Sequence, residues 1–395
     1  MNRRTFLHLA LASFALRAQE RRRTLVFLFL PGGLDGLSVV VPDDPRLVEM
    51  RPAIAHPAPG KPAASAPDRE ALLPLESGLG LHPSLRELLP LYRDGVLAFV
   101  HAVGQPSPTR SHFDAQDYLE LGTPGVKSTR DGWLARALRL SSPSGSPLEA
   151  VALSQALPRS LYGSPRAFAV SSLGAARLRP LAGGPRGAEG RTLSREAFDA
   201  LYLGSSLAGP AHDAFAALEM IERRIGEIPK GPNPYGPAGR ALREVAALVK
   251  ADVGLRVAFV SAGGWDTHAG QPGELSRRLA GLGGALAAFW KELGPRADDV
   301  LLVAATEFGR TARQNGSLGT DHGHGSIALA LGGRVAGGKV YGRWPGLGPA
   351  ELYEGRDLDA TTDLRAFLAT ATEAQLGATS GVFPGYTGAK LSYLR

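Results

Sequence analysis

VLLVAATEFGRTARQNGSLGTDHGHGS, residues 300–326, begins with six apolar residues and ends in a loop dense in glycine and histidine. A short apolar run bounded by polar residues fits one buried strand. Glu307 and Gly309 follow it at once. Open α/β sheets present ligand-binding side chains at this place, because the crevice lies beyond the carboxyl ends of the strands. Further on stand Asp321, His322, Gly323, His324 and Gly325. Carboxylates and imidazoles donate lone pairs to a metal ion, and glycine lets the backbone turn tightly around one.

Upstream, residues 273–293 carry Leu275, Leu279, Leu282, Leu286, Phe289 and Leu293 at intervals of four and three. That spacing predicts a long amphipathic helix. Before it, residues 255–260 read as another buried strand, which runs into Gly263-Gly264-Trp265-Asp266-Thr267-His268. Strand, long helix, strand is a βαβ unit, for which a right-handed parallel crossover is expected. It brings Asp266, His268 and Glu307 to one edge of the sheet. In an extended loop Asp266 and His268 point the same way and Thr267 the other. That arrangement suits two ligands of one ion. The plainer reading is a capping Asp beside a structural His.

Residues 24–30, TLVFLFL, predict a central strand buried on both faces. Asp35 follows in a glycine-rich turn, either as a ligand or as the carboxylate of an Asx turn. Residues 42–83 are rich in Pro and Ala and are expected to wander over the surface. Residues 96–103 read as a second strand, and residues 105–114 close it and open a helix. Ser111 is placed as the N-cap of that helix. A helix N-terminus also stabilises anions, so Ser111 is equally a candidate nucleophile, with Ser107 and Thr109 as rivals. Arg110 suits a bidentate hold on an anionic group. Residues 151–153 and 167–170 are plausible short strands. Phe198, Leu201, Phe215, Leu218, Ile221 and Ile225 suggest two helices. The whole of 141–236 is read as an insertion or cap. A strand at 327–331 and a last helix near 362–376, capped by Thr361 or Thr362, complete the chain.

The 395 residues are 44% hydrophobic, ample for one large α/β core. There is no cysteine, which excludes disulfides, Cys-ligated zinc and cysteine nucleophiles. The net charge of +7 is spread thinly, with no basic run interleaved with aromatics after Arg23. Composition therefore gives no ground for nucleic-acid binding. Arg3, Arg4 and Phe6 precede a short apolar core at residues 8–16. Residues 1–18 resemble a twin-arginine export signal, and the core is shorter than the ~18–20 apolar residues of a membrane span. Export to the periplasm or cell surface of a bacterium is expected, without a stable transmembrane anchor, leaving an α/β domain over 24–395.

The leader, GGLDGL, RSHFDAQ, GGWDTH, TEFGRT and GTDHGHG together resemble a bacterial exported family, domain-of-unknown-function family 1501. That family is similar to the alkaline phosphatase and sulfatase superfamily. The resemblance implies an alkaline phosphatase-like fold: a doubly wound, mostly parallel sheet with helices on both faces. It implies a metal held at the strand ends by Asp35, Asp266, His268, Glu307 and His324, with His322 as the other candidate for the late histidine. Mixed carboxylate and imidazole ligands favour one or two Zn, Mn or Fe ions over Mg or Ca. Ser111 approximates the nucleophile, Arg110 or Arg310 would bind the anion, and His322 would assist the leaving group. The superfamily places an Asp-His pair directly after the strand at 300–305; here Glu307-Phe308 stands there. The implied activity is hydrolysis of a small-molecule or polymer-borne phosphate or sulfate ester. The alternative is a non-catalytic exported binding or scaffold protein that keeps the fold.

Overall fold

The structure, a computed structural model, describes residues 23–60, 69–76, 78–174, 202, 204–205, 208–225 and 233–395. The first apolar run forms strand β1, Thr24–Phe29, with every residue buried. Its side chains alternate between two cores: Val26 and Leu28 join one, Leu25, Phe27 and Phe29 the other. A strand apolar at every position must be covered on both faces. The other strands of its sheet are β2 (Leu97–Gly104), β3 (Ala150–Leu153), β4 (Ala167–Val170), β5 (Val257–Ser261), β6 (Val300–Ala305), β7 (Ser326–Gly332), β8 (Val340–Tyr341) and β9 (Thr362–Asp363).

They form one sheet in the order β8-β2-β7-β6-β1-β5-β3-β4, with β9 beside β2. Only β7 runs antiparallel to its neighbours, β2 and β6; the other pairings are parallel. The helices used below are α1 (His112–Leu121), α2 (Trp133–Arg139), α3 (Ala208–Arg224), α4 (Gly236–Lys250), α5 (Gln271–Leu293) and α6 (Leu364–Leu376). Leu242 and Val245 of α4 and Leu279 and Phe289 of α5 cover one face. Trp133 of α2 and Phe367 and Ala371 of α6 cover the other. Each large side chain buried in this way stabilises the fold by roughly 1.5–3 kcal/mol. The result is a doubly wound, mostly parallel α/β sheet.

The unit β5-α5-β6 places its two strands on either side of β1, both parallel to it, with Phe29 opposite Ser261 and Ala305. The loops that follow β1, β5 and β6 therefore leave the sheet at the same edge. β2 has the same direction as β6, since both are antiparallel to β7. The loop into α1 leaves there too.

Several expectations change. The stretch 141–236 is not a separate cap from its start: fully buried β3 lies between β5 and β4 and belongs to the main sheet. Residues 42–83 do not simply wander over the surface. Val40–Pro42, Leu73–Pro74 and Leu79–Leu81 pair as a small second sheet, and Arg51 and His82 are buried. The last helix is capped by Asp363, whose carboxylate accepts from the Arg365 N–H, rather than by Thr361 or Thr362. The leader 1–18, and Phe198 and Leu201, lie outside the described residues. Among the described residues no helix is long and apolar enough to cross a membrane.

Candidate metal centre

Three histidines meet around Asp266: His112 at the start of α1, His268 after β5 and His322 before β7. The His268 Nε2 lies 3.0 Å from Asp266 Oδ1. The His322 Nε2 lies 3.1 Å from the same oxygen and 2.9 Å from the His268 Nε2. The His112 Nε2 lies 3.4 Å from Asp266 Oδ2. His112, Asp266 and His322 offer ligand atoms that all fall within 4.8 Å of one another.

The other ring nitrogen of each histidine is held by an atom that can only accept. The His112 Nδ1 lies 2.8 Å from Glu307 Oε1. The His268 Nδ1 lies 3.0 Å from Asp321 Oδ1. The His322 Nδ1 lies 2.8 Å from the Arg110 carbonyl. Each Nδ1 must therefore donate, which leaves the Nε2 lone pair of the neutral ring facing Asp266. Carboxylate- or carbonyl-braced imidazoles with a bare nitrogen turned inward are the usual outer arrangement of a metal site.

Two observations show that these residues fit a cation. Two imidazole lone pairs 2.9 Å apart repel unless a positive centre lies between or beside them. The His112 Nε2 is buried and has no hydrogen-bond partner, which is costly for a polar atom without a ligand. Separations of 2.9 to 3.4 Å suit neighbouring donors on one ion about 2 Å from each. The donors of that group, two imidazole nitrogens and a carboxylate with the His268 nitrogen beside them, suit Zn and its neighbours better than Mg or Ca.

The local fold aims these groups. Thr267 is buried and donates to the Gln271 side chain at 3.0 Å, so Asp266 and His268 project together on the open side. Arg310 and His322 form an isolated antiparallel bridge, which fixes the late loop. Phe308, though unable to ligate, packs its ring against His112 at 4.8 Å and His322 at 4.9 Å. Gly32, at φ +120, lets the first loop pass so close that a Cβ there would lie 2.8 Å from the Asp266 N.

Electrostatics follow from these contacts. Burial works against ionised Asp266, but the hydrogen bond and charge of Arg310 override it and lower its pKa to about 2. The hydrogen bond to Glu307 holds the His112 pKa above the usual histidine value. Burial pushes that of His322 down. The hydrogen bond from His268 holds the Asp321 carboxyl below its usual range.

Four of the expected roles are corrected by these placements. Asp35 is not at the centre. It is 1% exposed, and its oxygens accept from Arg51 at 2.7 and 3.0 Å, Ser38 at 2.6 Å and Gln271 at 2.6 Å. Glu307 is a brace rather than a ligand: it accepts from His112, from Gln116 at 3.0 Å, from Thr306 at 2.9 Å and from the Gly32 N–H at 2.9 Å. His324 does not join the cluster but stacks on Tyr353 at 4.1 Å, while His322 takes the inner place. Both arginines are engaged with other groups. Arg310 is buried and donates to Gly33 O, Thr320 O, Trp265 O and Asp266, and also to Gly32 O. The Arg110 guanidinium is paired with Asp357 and Glu354, both at 2.6 Å.

His112 was missed in the sequence; Asp321, read there among the metal-donor types, instead meets His268. His112 directly follows the Ser111 N-cap at a strand end on the site edge, which is the signal that could have found it. Ser111 does head α1, and its hydroxyl makes no capping hydrogen bond.

The family described as "Protein of unknown function (DUF1501)" matches residues 101–382. The chain belongs to the DUF1501 family. The matched span holds the whole cluster, from His112 to His322, and leaves Asp35 outside. No curated protein matches the chain. Among solved structures, the chain is similar to the C-terminal periplasmic domain of EcEptC from Escherichia coli in complex with Zn. Identity is 10%, coverage 80% of this chain and 74% of that one, and the TM-score 0.36. The PsFucS1 sulfatase from Pseudoalteromonas sp. is 12% identical over 86% of this chain and 68% of that one, with a TM-score of 0.34. An alkaline phosphatase from the Antarctic bacterium TAB5 is 10% identical over 82% and 95%, with a TM-score of 0.33. These overlaps are loose.

Glu307→Gln tests the bracing directly. An amide would turn an N–H toward a ring of donors. We expect metal affinity to fall about 10–100-fold, the usual cost of losing an outer partner. Titration against a competing chelator reads the change.

Proposed function

We propose that this DUF1501 protein is an exported, metal-dependent hydrolase of phosphate or sulfate esters. The observation that carries this reading is the convergence of three braced imidazoles on Asp266 at the strand-end rim. The Asp266 side chain there is 45% exposed and within reach of a ligand. His112, His268, His322 and Asp266 would hold one divalent ion, with Zn the best match to the donors. Such an ion supplies Lewis acidity, which polarises an ester oxygen and lowers the pKa of water.

The chain's own groups do the rest. Glu307, Asp321 and the Arg110 carbonyl accept from the Nδ1 atoms and orient the imidazoles. The N-terminus of α1 carries partial positive charge, which favours an anionic ester beside His112. Ser111 at that terminus has a hydroxyl not used for capping and is the candidate nucleophile. His322 has both nitrogens occupied in this arrangement, so the leaving-group role does not fall to it.

The zinc- or manganese-loaded protein should therefore hydrolyse aryl phosphates or sulfates, and Asp266→Ala should abolish turnover. Activity undiminished in Asp266→Ala and His112→Ala would sink the assignment. One observation favours a non-catalytic binding protein instead: both arginines expected to grip the anion are engaged with other groups. A loaded, folded protein without turnover on either ester class would support that reading.

A further inference from the structure

A second recess lies next to the metal centre. It encloses ≈ 280 Å³ and is lined by Met50, Ala312, Arg313, Asp321, Leu352 and Arg356, among others. Asp321 joins the two places: its Oδ1 braces His268 at 3.0 Å, and it also lines the recess. One imidazole and one carboxylate thus separate the recess from the cluster of Nε2 atoms.

The recess is built on fixed backbone. Buried Arg51 donates to the carbonyls of Ala312 and Thr311, both at 2.8 Å. The Ala312 N–H bonds to the Arg356 carbonyl at 3.1 Å, and the Gln314 N–H to that of Met50 at 3.1 Å. Asn315 donates to Asp321 Oδ1 at 3.1 Å and to the His268 carbonyl at 2.9 Å. The walls are therefore tied both to the buried Asp35–Arg51 pair and to the histidine loop. The Ala312–Arg356 hydrogen bond also brings Arg313 and Arg356 onto adjoining segments.

Their charges are less fully paired than those of Arg110 and Arg310. Arg313 is exposed and has no carboxylate partner among the described residues. Arg356 is 44% exposed and lies 3.2 Å from buried Asp357, whose carboxylate Arg110 already holds; its charge also acts on Asp321 across the recess. Met50, Ala312 and Leu352 give the recess an apolar wall. Its volume is at the small end of ligand pockets. A guanidinium beside an apolar wall fits an oxyanion on a compact carbon frame.

We propose that this recess is a subsite for a second anionic group of the substrate, gripped by Arg313 and Arg356 while the ester lies at the metal centre. The substrate class is then an ester with a further carboxylate, phosphate or sulfate a few atoms away. This deepens the ester-hydrolase reading and rests on it.

Non-hydrolysable probes separate the two. Phenylphosphonate and benzenesulfonate, and the 2-, 3- and 4-carboxy derivatives of each, are titrated calorimetrically into the metal-loaded protein. At least one carboxy derivative should bind about tenfold tighter than its parent, the worth of one charge-assisted hydrogen bond. Arg313→Gln and Arg356→Gln should each erode that advantage and leave the parent's affinity unchanged. Both side chains are exposed, and unchanged thermal melts verify that the variants fold. Parents that bind with no gain from any carboxylate, or a gain that survives both substitutions, would overturn the subsite and leave the ester reading standing. Failure of both parents to bind would overturn the ester reading and the subsite with it.

Discussion

His112→Ala is expected to strip the metal from the protein while the sheet stays folded. The Nε2 of His112 is buried without a hydrogen-bond partner and faces Asp266 at 3.4 Å. Its Nδ1 is tied to Glu307. Loss of a direct donor should cost more than the roughly 10–100-fold that an outer partner costs. Elemental analysis after dialysis, with His324→Ala as the control that keeps its metal, checks this. Full metal content in His112→Ala would place the ion elsewhere. Affinity should also fall with pH, because the ion competes with protons for the imidazoles. His112 has its pKa raised by Glu307, so it holds its proton to higher pH than an ordinary histidine. The loss should therefore begin early on acidification.

The second large effect concerns stability. Asp35 and Arg51 form a buried ion pair, each 1% exposed, with bonds of 2.7 and 3.0 Å. Removing one partner leaves an uncompensated charge in the interior, at a cost of ~3–5 kcal/mol. Arg51→Ala should lower the denaturation midpoint accordingly and leave the metal ligands in place. A fall in metal content without a fall in stability would return Asp35 to the ligand set. The pH dependence has a definite sign. Burial alone would raise the Asp35 pKa, but the charge and hydrogen bonds of Arg51 hold it lowered. A carboxyl more acidic in the folded than in the unfolded state contributes stability that is fully present above the ordinary carboxylate pKa. That contribution is lost as pH falls through the folded value. In Arg51→Ala burial is opposed only by the Ser38 and Gln271 hydrogen bonds, so Asp35 should take up its proton at higher pH. Urea melts between pH 7 and pH 3 read both cases.

The sheet was legible because its signals are local. The run TLVFLF is apolar at every position and is buried at every position. The leucine spacing of 275–293 reads directly as α5. Together they placed the loops after β5 and β6 on one edge, and with them Asp266, His268 and Glu307. The roles of the carboxylates were not legible. An acid in a glycine turn after a strand has the same local sequence whether it meets an ion or a guanidinium. Asp35 meets Arg51, which lies in a Pro- and Ala-rich stretch with no strong periodicity. Glu307 was placed at the right edge, but its neighbours are the N–H groups of Gly32 and Gly33 and the side chain of Gln116. These come from distant positions, so only the three-dimensional packing shows that it braces His112. In RSHF the capping serine drew the reading, and the adjacent histidine carries the contact to Asp266. The His-x-His spacing left His322 and His324 equivalent. The stacking of His324 on Tyr353 separates them.

X-ray absorption at the metal edge, on protein produced with zinc, tests the centre most directly. The arrangement around Asp266 predicts about one ion per chain, with a nitrogen- and oxygen-only first shell and the outer-shell scattering of about three imidazoles. Folded protein that takes up no metal from zinc, manganese or iron, or a bound ion ringed by oxygen without imidazole, would contradict it.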